Sequence, residues 1–206
     1  MGKVKENTVI TIGRAYGSRG SQIGKIVAEK LGIPFYDKEL LELEAGESKL
    51  DMKLLSKYSD GKPGSFLRIA AFNPLTTERY DSFEETLIKL QKKTLKHVAD
   101  QGSCVIIGRR ADKYLRDEYD VVSVFIHASM EKRIERVIER DGLSEKDSID
   151  KIRKMDKLRG GYYGSYKDGE WGYASNYKLC INSGDLGVEQ SAEMIVQYLE
   201  STGRAN

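Results

Sequence analysis

The stretch VITIGRAYGSRGSQIGKIVAEKLG, residues 9–32, decides the fold. An apolar run turns into a glycine- and serine-rich loop, and the loop opens into a segment with Ile23, Ile26, Val27 and Leu31 at helical spacing. Gly32 stands where a helix C-cap is expected. A buried strand over 8–12, a loop, then a helix is the layout of a phosphate-cradling loop. Glycines let successive N–H groups converge on phosphate oxygens, and the helix N-terminus adds partial positive charge. Gly13, Gly17 and Gly20 supply the permissive positions here.

The usual Gly-Lys-Ser/Thr ending is missing, and two registers are open. Counting from Gly13 with four intervening residues puts Ser18, Arg19, Gly20 and Ser21 where the ending should be, with Arg19 in place of the lysine. Matching Gly17–Ser18 to a Gly-Ser-Gly-Lys-Gly-Thr loop puts Gly20 at the lysine position and Gln22 at the threonine. Arg14 or Arg19 then has to bring the charge. Both registers keep an anion-binding loop.

The chain has 206 residues, enough for one domain with a sizeable core. Hydrophobic residues make up 39% and charged residues 32%, which excludes a disordered chain. A net charge of only +2 gives no reason to expect nucleic acid or an anionic membrane as partner. The apolar runs are strand-length, too short for a transmembrane span. The start MGKVKENTVITI has no apolar core of the signal-peptide kind, so a cytoplasmic protein is expected. Cys104 and Cys180 both sit in apolar runs and are read as small core residues. His97 and His127 lie far apart, which speaks against a zinc site.

Along the chain, strands are expected in IPFYD, SCVII, YDVVSVFIHAS and NYKLCINS. Helices are expected in KELLELEAGESKLDMKLLSKYSDGKPG, in SFEETLIKLQKKTLKHVADQG, and after Gly108. Three more follow: MEKRIERVIERDG, with Met130, Ile134 and Ile138 as its apolar side; the segment capped by Ser144 and Asp147; and the closing GVEQSAEMIVQYLE. Apolar strands alternating with helices predict an α/β fold, a parallel sheet covered on both faces. In such a sheet the ligand sits beyond the C-terminal strand ends. The segments there read GRAYGSRGS, DKEL, GRRAD, HASMEKR and NSGDLG.

Arg109 and Arg110 follow the strand CVII, where a guanidinium fork suits a phosphate. Arg133, Arg136 and Arg140 form one stripe of their helix; Arg133, nearest the strand end, is the ligand candidate, and Arg140 is assigned to a solvated face. Farther on, Ile149, Ile152, Asp156 and Arg159 share a helical stripe. A carboxylate and a guanidinium on an apolar side either pair with each other or serve a ligand. In the second case a mobile arm carries Arg153 and Arg159 onto phosphates, with glycines at 160, 161, 164, 169 and 172 as hinges.

Taken together, these segments resemble the cytidylate kinase-like family, a branch of the nucleoside monophosphate kinases. The resemblance is carried by ITIGRAYGSRGSQIGKIVAEKLGIPFYDKEL, VIIGRRADKYL, VFIHASMEKRIERV, DKLRGGYYGSY and WGYASNYKLCINSGDLG, and is weakest between 45 and 80. It implies a P-loop NTPase-like three-layer fold over 1–206, with a helical acceptor-side insertion at about 45–80 and a lid at about 141–175. It also implies ATP with Mg²⁺, a small phosphorylated acceptor such as CMP or dCMP, and is compatible with a homodimer. Arg19, Arg153, Asp156 and Arg159 are then the expected catalytic residues. Gly13, Arg14, Gly17, Ser18, Gly20, Ser21 and Arg133 would bind the donor phosphates. Asp37 and Arg109 would serve the acceptor, and Ser18 or Ser21 the metal. This sequence departs from the family's pattern at the loop Lys and Thr, at Arg110 in place of an Asp, and at Ile152 in place of the first lid Arg, where Arg153 would substitute. A nucleotide-binding protein without turnover and a kinase of another metabolite stay open beside the leading reading.

Overall fold

The computed structural model describes residues 4–37, 77–164 and 171–206, the side chains of 77–87 and 162–164 excepted. The elements are β1 (Thr8–Arg14), α1 (Gly20–Leu31), β2 (Phe35–Tyr36), α2 (Thr77–Asp100), β3 (Cys104–Ile107) and α3 (Ala111–Leu115). They continue with β4 (Asp120–His127), α4 (Met130–Asp141), α5 (Glu145–Gly164), a 3₁₀ turn (Ala174–Asn176), β5 (Leu179–Asn182) and α6 (Ser183–Ser201). The helices expected between 38 and 64, and nearly all of the insertion expected at 45–80, lie outside the described residues.

The five strands form one parallel sheet in the order β2-β3-β1-β4-β5. Because β1 is central, the chain first winds toward β2 and β3 and then crosses to β4 and β5. The crevice at the C-terminal end of β1 is where that reversal leaves space for a ligand.

Side-chain alternation divides the core. Ile10, Ile12, Val122, Val124 and Ile126 face α1 and α6, meeting Ile23, Val27, Ala192, Ile195 and Leu199. Val9, Cys104, Ile106 and Val121 face α2 and α3, meeting Leu95, Val98, Ala99 and Leu115. Both faces being covered explains why the strands read as mainly apolar runs rather than alternating patterns. The C-terminus is tied to the start of β4 by Arg204, whose Nε and Nη2 donate to the Asp120 carboxylate at 2.8 and 2.9 Å.

Three expectations are corrected. β1 does not stop at residue 12; Gly13 and Arg14 stay in register with Phe125 and Ile126 of β4. Cys180 is exposed rather than a core residue, because Leu179 and Ile181 take the covered face of β5. On α4 the buried residues are Arg133 and Val137, while Ile138 is 37% exposed. This helix lies against the loop after β1, so the side it buries carries a guanidinium.

Candidate functional site

The loop after β1 is held by its own backbone and by α4. The Ala15 N–H donates to the Ile126 carbonyl at 2.9 Å, and the Ser18 N–H to the Ala15 carbonyl at 3.3 Å. Gly17 has φ +81, and a Cβ there would stand 3.0 Å from the Arg133 carbonyl oxygen, so the loop touches α4 where only glycine fits. Arg19 takes the left-handed conformation, φ 60, just before α1 begins at Gly20. No side chain caps α1 and its first turn holds no acidic residue. Its first N–H groups are therefore available to an anion.

Gly20 lies directly over Arg14. A Cβ on Gly20 would be 2.6 Å from Arg14 Cβ and 3.1 Å from its Cγ. The Arg14 guanidinium then crosses to β3 and occupies the space a side chain at Gly108 would need. It is 3.9 Å from the Asp37 carboxylate. Burial, then the nearby Arg159, pushes Arg14 down to about 9; Asp37 works against this shift, and Arg109 adds to it. Such a guanidinium remains charged, so the shift expresses a cost that an anion would relieve.

A cavity of about 530 Å³ opens here, lined by Arg14, Tyr16, Arg19, Ser21, Arg136, Glu139, Arg140 and Arg159 among others. Arg159 donates to the Arg14 carbonyl at 3.0 Å, and its guanidinium lies 5.3 Å from the Tyr16 ring centroid. Arg140 stands 5.0 Å from the same ring and donates to the Tyr16 hydroxyl at 2.6 Å. Arg136 donates to the Ser183 carbonyl at 2.7 Å and hydroxyl at 3.2 Å. Arg19 pairs with Glu139 at 2.9 Å. Burial pushes Arg136 and Arg159 below the ordinary arginine value, and Asp156 partly offsets this for Arg159.

Behind the cavity, Asp156 accepts the Tyr16 N–H at 2.8 Å and an ion-pair hydrogen bond from Arg133, which also donates to the Tyr16 carbonyl at 3.3 Å. The pairing of Asp156 with Arg159 offered by the sequence is thus corrected. Asp156 binds Arg133 and the loop, and Arg159 binds the Arg14 carbonyl.

The other expected residues divide. Gly13 is inside β1, and a Cβ there would meet Phe125 at 3.0 Å and Tyr177 at 3.3 Å, so its small size answers to packing. Ser18 is fully buried, its Oγ has no hydrogen-bond partner, and it does not line the cavity. Of the two serines proposed for a metal, Ser21 alone faces the opening. Arg153 is exposed and lies outside the cavity lining, because Ile152 beside it takes the buried side of α5. Arg109, left-handed at φ 60, follows Gly108 at the end of β3, close enough to Arg14 to depress it.

The sequence reading had no signal for Tyr16, which joins α4 and α5 to the loop. It had one for Arg136 and Arg140, the stripe they share with Arg133. Arg140 is exposed, as a solvated face requires, but its partners are Asp141 and the Tyr16 hydroxyl rather than the neighbouring glutamates.

An uncapped helix after a central strand, ringed by guanidinia, has the form of an anion cradle. The cytidylate kinase of Archaeoglobus fulgidus is 26% identical over 198 residues, covering 93% of this chain and 94% of that one. A crystal structure of an uncharacterized protein from Eubacterium ventriosum is 28% identical with a TM-score of 0.70, covering 94% of this chain and 99% of that one. The shikimate kinase of Bacteroides thetaiotaomicron shares the fold at 16% identity and a TM-score of 0.55, covering 95% and 99%. The cytidylate kinase-like family model matches residues 9–185, nearly the whole sheet and the cavity with it, and the chain belongs to that family.

Proposed function

We propose that the protein transfers a phosphoryl group from ATP to a nucleoside monophosphate, CMP or dCMP first, with Arg14 supplying the charge of the missing loop lysine. One observation carries the reading: Gly20 has no side chain, and the stem of Arg14 fills the space beside it before its guanidinium reaches the crevice. Arg19 in a glycine-like conformation supports the register that puts Gly20 at the lysine position. In that register Arg19, paired with Glu139 at the rim, is the weaker candidate.

Transfer of this kind needs alignment and charge stabilisation more than covalent help. An acceptor phosphate oxygen attacks the γ-phosphorus of ATP as the bond to the β-bridging oxygen breaks, and ADP leaves. Gly17, Gly20 and the first turn of α1 would hold the donor phosphates. Arg14 and Arg159 would neutralise the transferring group. Asp156 and Arg133 would fix the loop, while Arg109 and Asp37 would face the acceptor. Magnesium wants six oxygens. Here Ser21 offers a hydroxyl, while Glu139 and Asp37 are engaged by arginine, so phosphates and water would complete the shell.

The test is ADP release from ATP and Mg²⁺ with CMP, dCMP, UMP, AMP, GMP and hydroxylated metabolites, on the protein and on Arg14→Ala and Arg19→Ala. Turnover lost in Arg14→Ala and kept in Arg19→Ala supports the proposal. The reverse pattern restores Arg19 to the lysine role. Stabilisation by ATP without turnover on any acceptor replaces the proposal with a binding protein, and turnover on a metabolite alone replaces the acceptor.

A further inference from the structure

The charge lining the cavity is far from balanced. Arg14, Arg19, Arg136, Arg140 and Arg159 face it, and Glu139 is its one carboxylate among the described residues. Two of these arginines are neutralised locally: Arg19 by Glu139, and Arg140 by Asp141, which accepts at 2.8 and 2.9 Å. The other three are held mostly by neutral oxygens. Arg136 rests on Ser183, and Arg159 on the carbonyl of Arg14. Arg14 is 3.9 Å from Asp37, and its buried Nε has no partner. A guanidinium has five N–H donors, so each of the three keeps donors for an anion. The bare N-terminus of α1 adds its own partial charge to the same space.

In phosphate-transfer sites the divalent cation ordinarily offsets the charge of the phosphate chain. Here fixed guanidinia already do so. A dication entering this field meets like charge, and among the described residues no group of three or more His, Cys, Asp or Glu is arranged to receive one. We propose that the arginine cradle binds a polyphosphate chain by itself, whatever the chain is attached to, with no divalent cation needed for binding. This rests on the reading of the cavity as the donor-phosphate site and concerns the binding step alone.

The experiment is titration calorimetry and thermal unfolding of the full chain with inorganic tripolyphosphate and with ATP, once in EDTA and once with excess Mg²⁺. Both ligands are expected to bind in EDTA with a Kd within about threefold of the magnesium value. Arg159→Gln is expected to weaken binding in EDTA by about tenfold or more. Binding of either ligand only when Mg²⁺ is present overturns this inference and leaves the donor-site reading standing. Binding of ATP but not of tripolyphosphate in EDTA also overturns it, since the chain alone then does not suffice. No binding under either condition overturns both readings.

Discussion

Removing Asp156 tests the central claim about how the loop is held. Its carboxylate takes the Tyr16 N–H and pairs with Arg133, and the two side chains are only 21% and 11% exposed. Breaking a fully buried pair by deleting one partner costs about 3–5 kcal/mol, because the other charge stays behind in a poor solvent. Partial exposure of Asp156 lowers that to about 2 kcal/mol, and the lost amide acceptor adds about 1 kcal/mol. Asp156→Ala should therefore lose about 3 kcal/mol, which for a chain of this size lowers Tm by about 6–12 °C. Thermal unfolding by circular dichroism at neutral pH, without ligand, reads this directly. Adding Arg133→Met removes the stranded guanidinium while keeping most of its volume, and should restore about 2 kcal/mol. A loss below about 1 kcal/mol in the single variant, or a double variant less stable than the single, refutes the account of Asp156 as the buried counter-charge.

Three further outcomes follow from separate parts of the molecule. Gly20→Ala should displace Arg14, costing about 1–3 kcal/mol of overpacking and abolishing ATP binding; calorimetry checks the binding, and adding Arg14→Gly should recover the stability alone. Asp120 is held below the ordinary carboxylate value of 3.8, first by its hydrogen bonds from Arg204. The unfolded chain takes up its proton at higher pH than the folded one, so this stabilisation is complete above about 4 and disappears as pH falls below that. Asp120→Asn should accordingly lower Tm at pH 7 and match the parent under strong acid, as unfolding at several pH values will read. Trp171, the only tryptophan of the chain, packs edge-on to Phe125 at 5.3 Å and lies 3.7 Å from the Cβ position of Gly160 on α5. Its emission should shift when ATP rearranges α5, which Asp156 and Arg159 already bond to the loop, and an unchanged spectrum at saturating ATP would mean that α5 stays where it is.

Much of the fold was legible because burial on both faces of a parallel sheet leaves a plain signature. VITI, CVII and VVSVFI are apolar runs interrupted only by the small buried Thr11 and Ser123, and all three are strands. The same logic failed on α4. Met130, Ile134 and Ile138 have helical spacing, yet the helix is oriented by a loop that Arg133 supports directly at the Tyr16 carbonyl and indirectly through Asp156. Spacing shows that an apolar side exists and does not say what the helix rests on. Of the site, the loop and its flanking arginines were visible in sequence. What was hidden is the exchange between Arg14 and Gly20, six positions apart, because nothing in a linear string shows a strand-end side chain filling the space beside a helix start. Tyr16 was hidden for a similar reason, since its importance lies in the backbone groups that Asp156 and Arg133 bind.

The course of Arg14 over Gly20 and Gly108 has a consequence for how such sequences can change. One long side chain lives in room left by two that are missing, so the three positions form a single heritable unit. In the proposed register a lysine at position 20 cannot enter by one substitution, because its Cβ would stand 2.6 Å from that of Arg14. Position 14 must shrink first, at the price of a step with neither cation in place. Relatives should fall into two groups, arginine with two glycines or lysine with a small residue at the strand end, and few sequences should lie between them.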